Sequence, residues 1–478
     1  MVPSPGQKLF LASPHLLGPA AAGPIAIQAR AGGWTISWSG SAGQRSSADQ
    51  EAPIIDGADT ALIGQISARG GARVVGTPPV FPSAALVISL EANGGKRDIA
   101  IADEPPDTAI EGYAIASSGG QVAAAYLARD PAGSLSCRFV GFSLNEALRG
   151  SDSWTRMPDY PQAPGMAGIM AGRSNGVLIA AGGANFPEGA TPPWEGGTKS
   201  YYDEIYVLEP GSKAWKFAGK LPGPRAYGAT VSISDGVLIL GGDDGKEVFQ
   251  DSLLLQWTGS AVKIIADLSL PAPVTAAVAA VLDHHVYLAG GYAAGAPRVT
   301  TRLFWRLNLA APNSSWEVLP SWTGPTRAQG AAAAVDGAFY LVSGLEITAQ
   351  GATASPPTYL NDAYRYRPGT GWEQLPDLPW SAIAAPSPAP VTEHPPKIFI
   401  LGGVDGRQVG HLPRAVALPS DILYFDVGSK SWKLQPEPWP MPIVCCPGIE
   451  SSGEWVFPTG ESMAGKRTTQ VWSWKITS

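Results

Sequence analysis

Apolar positions in the C-terminal two-thirds of the chain fall in short runs, and six of those runs end in a pair of small residues. They are Leu178-Ile-Ala-Ala-Gly182-Gly183, Leu238-Ile-Leu-Gly241-Gly242, Val286-Tyr-Leu-Ala-Gly290-Gly291, Phe339-Tyr-Leu-Val-Ser343-Gly344, Ile398-Phe-Ile-Leu-Gly402-Gly403 and Trp455-Val-Phe-Pro-Thr459-Gly460. Each run is too short for an ordinary helix and reads as a strand. The closing glycines fall 49 to 59 residues apart. Short strands repeating about every 50 residues are the mark of a β-propeller, whose repeats close into the blades of a ring.

Polar and turn residues between the runs complete a unit of the kelch type. A strand ahead of the glycine-ended one is joined to it through Asn175-Gly176, Asp235-Gly236, Asp336-Gly337 or Ser452-Gly453, where glycine and Asn or Asp supply the positive φ of a two-residue hairpin. An aromatic-rich strand follows (Ile205-Tyr-Val-Leu, Phe304-Trp-Arg-Leu, Ala363-Tyr-Arg-Tyr, Ile422-Leu-Tyr-Phe), and after it a tryptophan: Trp215, Trp316, Trp372 or Trp432. Such rings bury much surface, so these tryptophans are expected between blades and in no catalytic role. The sixth unit supplies strands at 443–450, 454–457 and 470–475, and the sequence then ends at Ser478 without a fourth. The missing strand is expected upstream at 153–158, because pairing the two ends removes both exposed edges of the ring.

The fold expected is all-β: a six-bladed kelch-type β-propeller over residues 151–478, preceded by a small β-rich, sandwich-like accessory domain over residues 1–150. In that first region Trp34-Thr-Ile-Ser-Trp, Ala85-Leu-Val-Ile-Ser-Leu and Arg138-Phe-Val-Gly-Phe-Ser-Leu alternate with Gly, Pro and Ser turns. Residues 112–160 allow a second reading, as a seventh blade, which ranks lower because the glycine pair is missing there.

Composition sets limits on function. With 57 Gly and 45 Pro the chain is turn-rich, while 45% hydrophobic residues are ample for cores. The net charge is −7, and the 33 basic residues are scattered without a run interleaved with aromatics, which leaves no nucleic-acid footprint. No stretch approaches the roughly 18 apolar residues of a membrane-spanning helix, so no membrane partner is expected. Residues 1–23 hold one lysine and an apolar stretch broken by Pro14, His15 and Pro19, a poor secretory core. Only three cysteines occur, Cys137, Cys445 and Cys446, too few for a disulfide framework. A cytoplasmic protein is expected, or a periplasmic or secreted one if the chain is trimmed at its start. The sequence is silent on oligomeric state.

Longer stretches carry a resemblance. Gly165-Met-Ala-Gly168, Gly182-Gly-Ala-Asn-Phe-Pro187, Pro193-Trp-Glu-Gly-Gly-Thr-Lys199, Asp203-Glu-Ile-Tyr-Val-Leu208 and Leu221-Pro-Gly-Pro-Arg225-Ala-Tyr-Gly228 resemble the N-acetylneuraminate epimerase (sialic acid mutarotase) family. The order is that of its cyclically permuted branch, in which blades found late in the ordinary chain come first. The similarity continues through Gly324-Pro-Thr-Arg327, residues 335–344, and Gly460-Glu461 to Arg467-Thr468. It covers essentially the whole propeller and none of residues 1–150. The resemblance implies an isomerase that interconverts the α and β anomers of N-acetylneuraminate, a small sugar acid, with no metal, nucleotide or other cofactor. A non-catalytic propeller that binds protein or glycan, and a mutarotase for a different sugar, are the other readings, since fold does not determine function. A copper radical oxidase on the same type of propeller needs imidazole ligands. The chain offers only His15, His284, His285, His394 and His411, with no zinc-type spacing.

Mutarotation opens the ring at the anomeric carbon, rotates one bond and recloses on the other face. It needs a base for the anomeric hydroxyl and an acid for the ring oxygen, and one carboxyl group can serve both. The substrate carboxylate suits the planar fork of an arginine. The resemblance gives Glu461 the proton transfer and Arg467 the carboxylate. By spacing alone the two read as a surface ion pair worth roughly 0 to 1 kcal/mol. Arg225 and Arg327 occupy the same place in two units, either as further anion ligands in the channel or as ties to neighbouring backbone carbonyls. Asn185, Trp194 and Lys199 lie in the long insertion after the first glycine pair, as substrate contacts or as residues that order the loop. Glu346 and Asp405 follow their own glycine pairs, as a second carboxylate or as solvated loop charges.

Overall fold

The computed structural model describes residues 153–478 apart from 188–196, 296, 312–313, 407–417, 436–438, 464 and 477–478. Before residue 153 it describes the backbone of the strands named below. The chain divides into two compact units, Met1–Asp152 and Ser153–Ser478. In the first unit, Lys8–Phe10, Gly95–Asp103, Ala85–Ala92 and Leu62–Arg69 form one sheet. His15–Pro19, Leu135–Ser143, Gln121–Arg129 and Ala109–Ser118 form a second, and Ala26–Arg30, Gly33–Ser39 and Arg45–Gln50 a third. The strands that allowed a seventh-blade reading thus take His15–Pro19 as their fourth partner inside this unit.

The second unit is a propeller of six four-stranded antiparallel sheets. Blade one runs Met170–Ser174, Val177–Ala181, Glu204–Leu208, Lys216–Lys220. The inner pairs of the next five blades are Ala229–Ile233 with Gly236–Leu240, Val278–Leu282 with His285–Ala289, Ala331–Val335 with Ala338–Glu346, Val391–Glu393 with Pro396–Leu401, and Ile449–Ser451 with Glu454–Phe457. Blade six takes Val471–Trp474 as its third strand and Trp154–Met157, from the other end of the unit, as its outermost. In that seam Trp154 lies opposite Trp474 and Met157 opposite Val471. Trp154 also stacks on Trp474 at 5.2 Å and on Trp439 at 6.1 Å, so closure rests on buried rings as well as on backbone hydrogen bonds.

The apolar runs are continuous because every blade is covered on both faces. In blade one Leu178 and Ala180 pack toward blade six, whereas Val177, Ile179 and Ala181 pack toward Val237, Ile239 and Leu253 of blade two. The two-residue period of a strand therefore divides one run between two interfaces. The hairpins at Asn175-Gly176 (φ 47° and 80°), Asp336-Gly337 (52° and 63°) and Ser452-Gly453 (56° and 81°) have both residues at positive φ, the type I′ geometry that matches strand twist. Three of the four blade tryptophans tie one blade to the last. The indoles of Trp215, Trp372 and Trp432 donate to the carbonyls of Pro158, Pro320 and Pro376 at 3.0, 2.9 and 2.8 Å. The Trp316 indole N–H is buried with no partner among the described residues.

Candidate functional site

Ahead of each inner strand the chain makes one left-handed residue: Gly168 (φ 63°), Tyr227 (58°), Ala276 (51°), Gln329 (54°), Ala384 (56°) and Cys445 (58°). Their backbones close a ring of hydrogen bonds. The N–H of Gly168 donates to Cys445 at 2.7 Å, Tyr227 to Gly168 at 2.9 Å, Ala276 to Tyr227 at 2.8 Å, Gln329 to Ala276 at 3.0 Å, Ala384 to Gln329 at 2.7 Å, and Cys445 to Ala384 at 2.9 Å. Five non-glycine residues accept a disfavoured conformation to make this collar. Gly168 has an added reason, since a Cβ there would sit 2.6 Å from the Tyr227 ring. A cavity of about 320 Å³ rests on the collar, which supplies Tyr227, Ala276, Gln329, Ala384 and Cys445 to its lining.

The walls come from a second repeated position. The residue directly after each glycine pair bridges to the residue before the collar: Ala184 to Ala167, Asp243 to Ala226, Tyr292 to Thr275, Leu345 to Ala328, Val404 to Ile383 and Glu461 to Val444. Tyr292, Val404 and Glu461 line the cavity from this position.

Glu461 and Arg467 face each other across the two-stranded hairpin of Gly460–Met463 and Lys466–Thr468. Arg467 Nη2 lies 2.9 Å from Glu461 Oε2, with the arginine side chain 2% exposed and the glutamate 22%. The guanidinium also stacks on Phe186 at 4.6 Å. Arg467 is not among the residues that line the cavity, and its Nε and Nη1 are buried without a hydrogen-bond partner among the described residues. The residue lies behind Glu461 and holds that carboxylate, while Glu461 reaches the cavity. Thr459, fully buried, fixes the hairpin: its hydroxyl donates to Thr468 O at 2.6 Å and accepts from Met166 N at 2.8 Å, tying blade six to blade one.

Lys199 and Tyr227 form a second polar pair on the wall. Lys199 Nζ donates to Tyr227 Oη at 2.9 Å. Burial, and then the charge of Arg467, lower the Lys199 pKa from its ordinary 10.5, whereas burial raises that of Tyr227 well above 10.0. The phenol therefore keeps its proton at neutral pH. Because it already accepts from Lys199, that proton is left for another acceptor. Cys445 in the floor is pushed up to about 12 by burial and then by Glu461, and is an inert thiol.

A third group surrounds Asp243, which is 3% exposed. Its Oδ2 accepts from Thr275 Oγ1 at 2.6 Å and from Arg298 Nη2 at 3.3 Å, and its Oδ1 from Gly245 N at 3.1 Å. The pKa of Tyr201 beside it is raised, by burial first and then by the charge of Asp243.

The remaining sequence candidates stand elsewhere. Arg225 Nη2 donates to both carboxylate oxygens of Asp251 at 2.8 Å, and its Nη1 reaches Gly241 O at 3.3 Å. Arg327 makes a bidentate pair with Asp362, Nη1 to Oδ1 at 2.9 Å and Nη2 to Oδ2 at 2.8 Å, and reaches Ser343 O at 2.8 Å. Both guanidiniums are buried in the scaffold, as ties to carbonyls and not as channel ligands. Asn185 is fully buried; it accepts from Tyr202 Oη at 2.8 Å and donates to Gly165 O at 3.2 Å. It stands opposite Ser200 in the small sheet that presents Lys199 and Tyr201. Glu346 accepts from the backbone N–H and hydroxyl of Thr326 at 3.0 and 3.1 Å, and Asp405 is buried. Neither lines the cavity. Trp194 falls outside the described residues. Tyr201, Tyr227, Asp243, Tyr292 and Arg298 went unnoticed in the sequence. For Asp243 the signal was present, since it follows Gly241-Gly242 directly as Glu461 follows Thr459-Gly460. Glu346 and Asp405 come one residue later, where a strand turns the side chain to the other face.

A carboxylate paired with a buried guanidinium, beside a lysine–tyrosine pair in a cavity on the collar of a six-bladed propeller, makes a small polar pocket with cationic groups in its walls. The chain belongs to the N-acetylneuraminate epimerase family, whose model matches residues 149–264 and 268–416, more than half of the sequence. Glu461 and Arg467 lie beyond the matched residues. Among curated proteins the chain is similar to N-acetylneuraminate epimerases of Vibrio cholerae (42% identical over 110 residues, 21% of this chain and 28% of that protein), Brucella suis (36% over 133 residues, 24% and 33%) and Haemophilus influenzae (34% over 125 residues, 23% and 32%). The aligned stretches span about a third or less of the length of these relatives.

Proposed function

We propose that this protein is a mutarotase that interconverts the α and β anomers of N-acetylneuraminate. The observation that carries the reading is the Glu461–Arg467 pair, in which the carboxylate reaches the cavity and the guanidinium is buried behind it. Glu461 takes the proton of the anomeric hydroxyl as the bond from the anomeric carbon to the ring oxygen breaks, giving the open-chain ketone. The ring oxygen receives a proton in the same step, from Glu461 by return or from the Tyr227 hydroxyl that Lys199 supports. Rotation about one carbon–carbon bond presents the other face of the ketone, and reversal of the transfers closes the ring. Arg467 fixes the carboxylate so that no reorganisation precedes each transfer. Family membership and the names of the similar proteins support N-acetylneuraminate as the substrate.

An anomer-resolved NMR time course on freshly dissolved N-acetylneuraminate tests the activity. Micromolar folded protein should speed equilibration and leave the final anomer ratio unchanged. An unaltered rate rejects this substrate, and acceleration of a neutral reducing sugar alone reassigns the enzyme to a different sugar.

A further inference from the structure

The buried position of Arg467 leaves the carboxylate of a sugar acid in need of another partner, and three cationic side chains belong to the neighbourhood of the cavity. Arg467 is 2% exposed and pairs with Glu461 through Nη2, while its Nε and Nη1 are buried without a partner among the described residues. Lys199 is partly buried and donates to Tyr227. Arg298 lines the cavity as Lys199 does, and differs from both in that its side chain is 53% exposed.

The fork of Arg298 is nevertheless held in place. Its Nη2 bonds Asp243 Oδ2 at 3.3 Å, and its guanidinium lies over the Tyr292 ring at 4.4 Å. Asp243 is itself anchored by Thr275 and by the Gly245 amide, and Asp243 and Tyr292 occupy the repeated position after the glycine pair in neighbouring blades. An arginine braced on one edge by a buried carboxylate and on its face by an aromatic ring loses little conformational freedom on binding, and presents its remaining N–H groups as a bidentate donor.

We propose that Arg298, positioned by Asp243 and Tyr292, is the anchor for the carboxylate of the substrate and sets the preference for an acidic over a neutral sugar. The inference rests on the mutarotase reading and divides the labour of the site. Glu461, with Arg467 behind it, handles the protons, and Arg298 holds the anion. Asp243 is a positioning residue that acts through Arg298.

The test measures binding by calorimetry, and anomerisation by NMR, for N-acetylneuraminate and its methyl ester, which keeps the hemiketal and lacks the charge. The full-length wild type is compared with Arg298→Gln, Arg298→Lys and Asp243→Asn. A charge-assisted bidentate contact predicts that wild type favours the acid over the ester by roughly tenfold to a hundredfold, and that Arg298→Gln erases this ratio. Arg298→Lys should keep part of it, and Asp243→Asn should weaken the acid more than the ester through KM and not through turnover. Equal losses for acid and ester in Arg298→Gln, an unchanged ratio, or a wild type that binds neither compound overturns the proposal. A wild type that binds the acid through Arg298 without speeding anomerisation sinks the mutarotase reading and leaves the anchor standing.

Discussion

At the scale of single residues, what decides a role is which side of a strand the side chain takes and what already holds it. Glu461 and Asp243 share one register position after the glycine pair; Glu461 reaches the cavity while Asp243 is buried behind Arg298. The sequence shows the glycine pairs plainly, but only a register counted from each pair separates Asp243 from Glu346 and Asp405. Arg225 and Arg327 were legible as a repeated feature, and which carbonyl or carboxylate each would meet depended on Asp251 and Asp362, distant in sequence. Lys199 gives a prediction in pH. Burial lowers its pKa in the folded protein below the 10.5 of an ordinary lysine, so at neutral pH the folded state bears the cost of a buried ammonium. As pH rises from the lowered value toward 10.5 the unfolded chain holds more protons than the folded one, and stability from this group increases. In thermal melts between neutral pH and about pH 10, wild type should therefore gain on Lys199→Met as pH rises. A difference in melting temperature that stays flat with pH contradicts this account of Lys199.

At the scale of elements, the unit of design is the junction between consecutive blades. A hydroxyl replaces the first glycine of the pair at Ser343 and at Thr459, and does the same work in both. It donates to a carbonyl of its own blade, Leu360 or Thr468, and accepts from an amide of the next, Ala382 or Met166. Thr459→Val keeps the shape and leaves buried polar groups unpaired, so it should cost about 1 to 3 kcal/mol in denaturant unfolding. A midpoint equal to wild type shows that the bridge adds nothing. Turns and inner strands were readable because they are local: Asn175-Gly176 or Asp336-Gly337 fixes its own φ angles. The collar was not readable, because its left-handed residues include Tyr, Ala, Gln and Cys. Their conformation is imposed by a hydrogen-bonded ring that exists only once all six blades are assembled.

At the scale of the whole molecule, closure turns six weak repeats into one cooperative ring. The sequence indicates it through the absent fourth strand of the last unit, and the pairing of Trp154–Met157 with Val471–Trp474 supplies that strand from the opposite end. Removal of residues 1–160 takes away this strand and Trp154, whose buried ring alone is worth about 3 to 5 kcal/mol, whereas removal of 1–145 leaves both. The longer truncation should unfold at a clearly lower temperature than the shorter, and equal melting temperatures would show that the seam is dispensable. The same closure forms the collar beneath Glu461, so the fold and the proposed site depend on one assembly. The measurement that tests this account most directly compares anomerisation of N-acetylneuraminate by wild type and Glu461→Gln, at matched concentration and with matched circular dichroism. Loss of the proton carrier should lower the catalysed rate by roughly 10² to 10⁴ while the variant still binds the sugar. A Glu461→Gln protein that keeps the wild-type rate would contradict it.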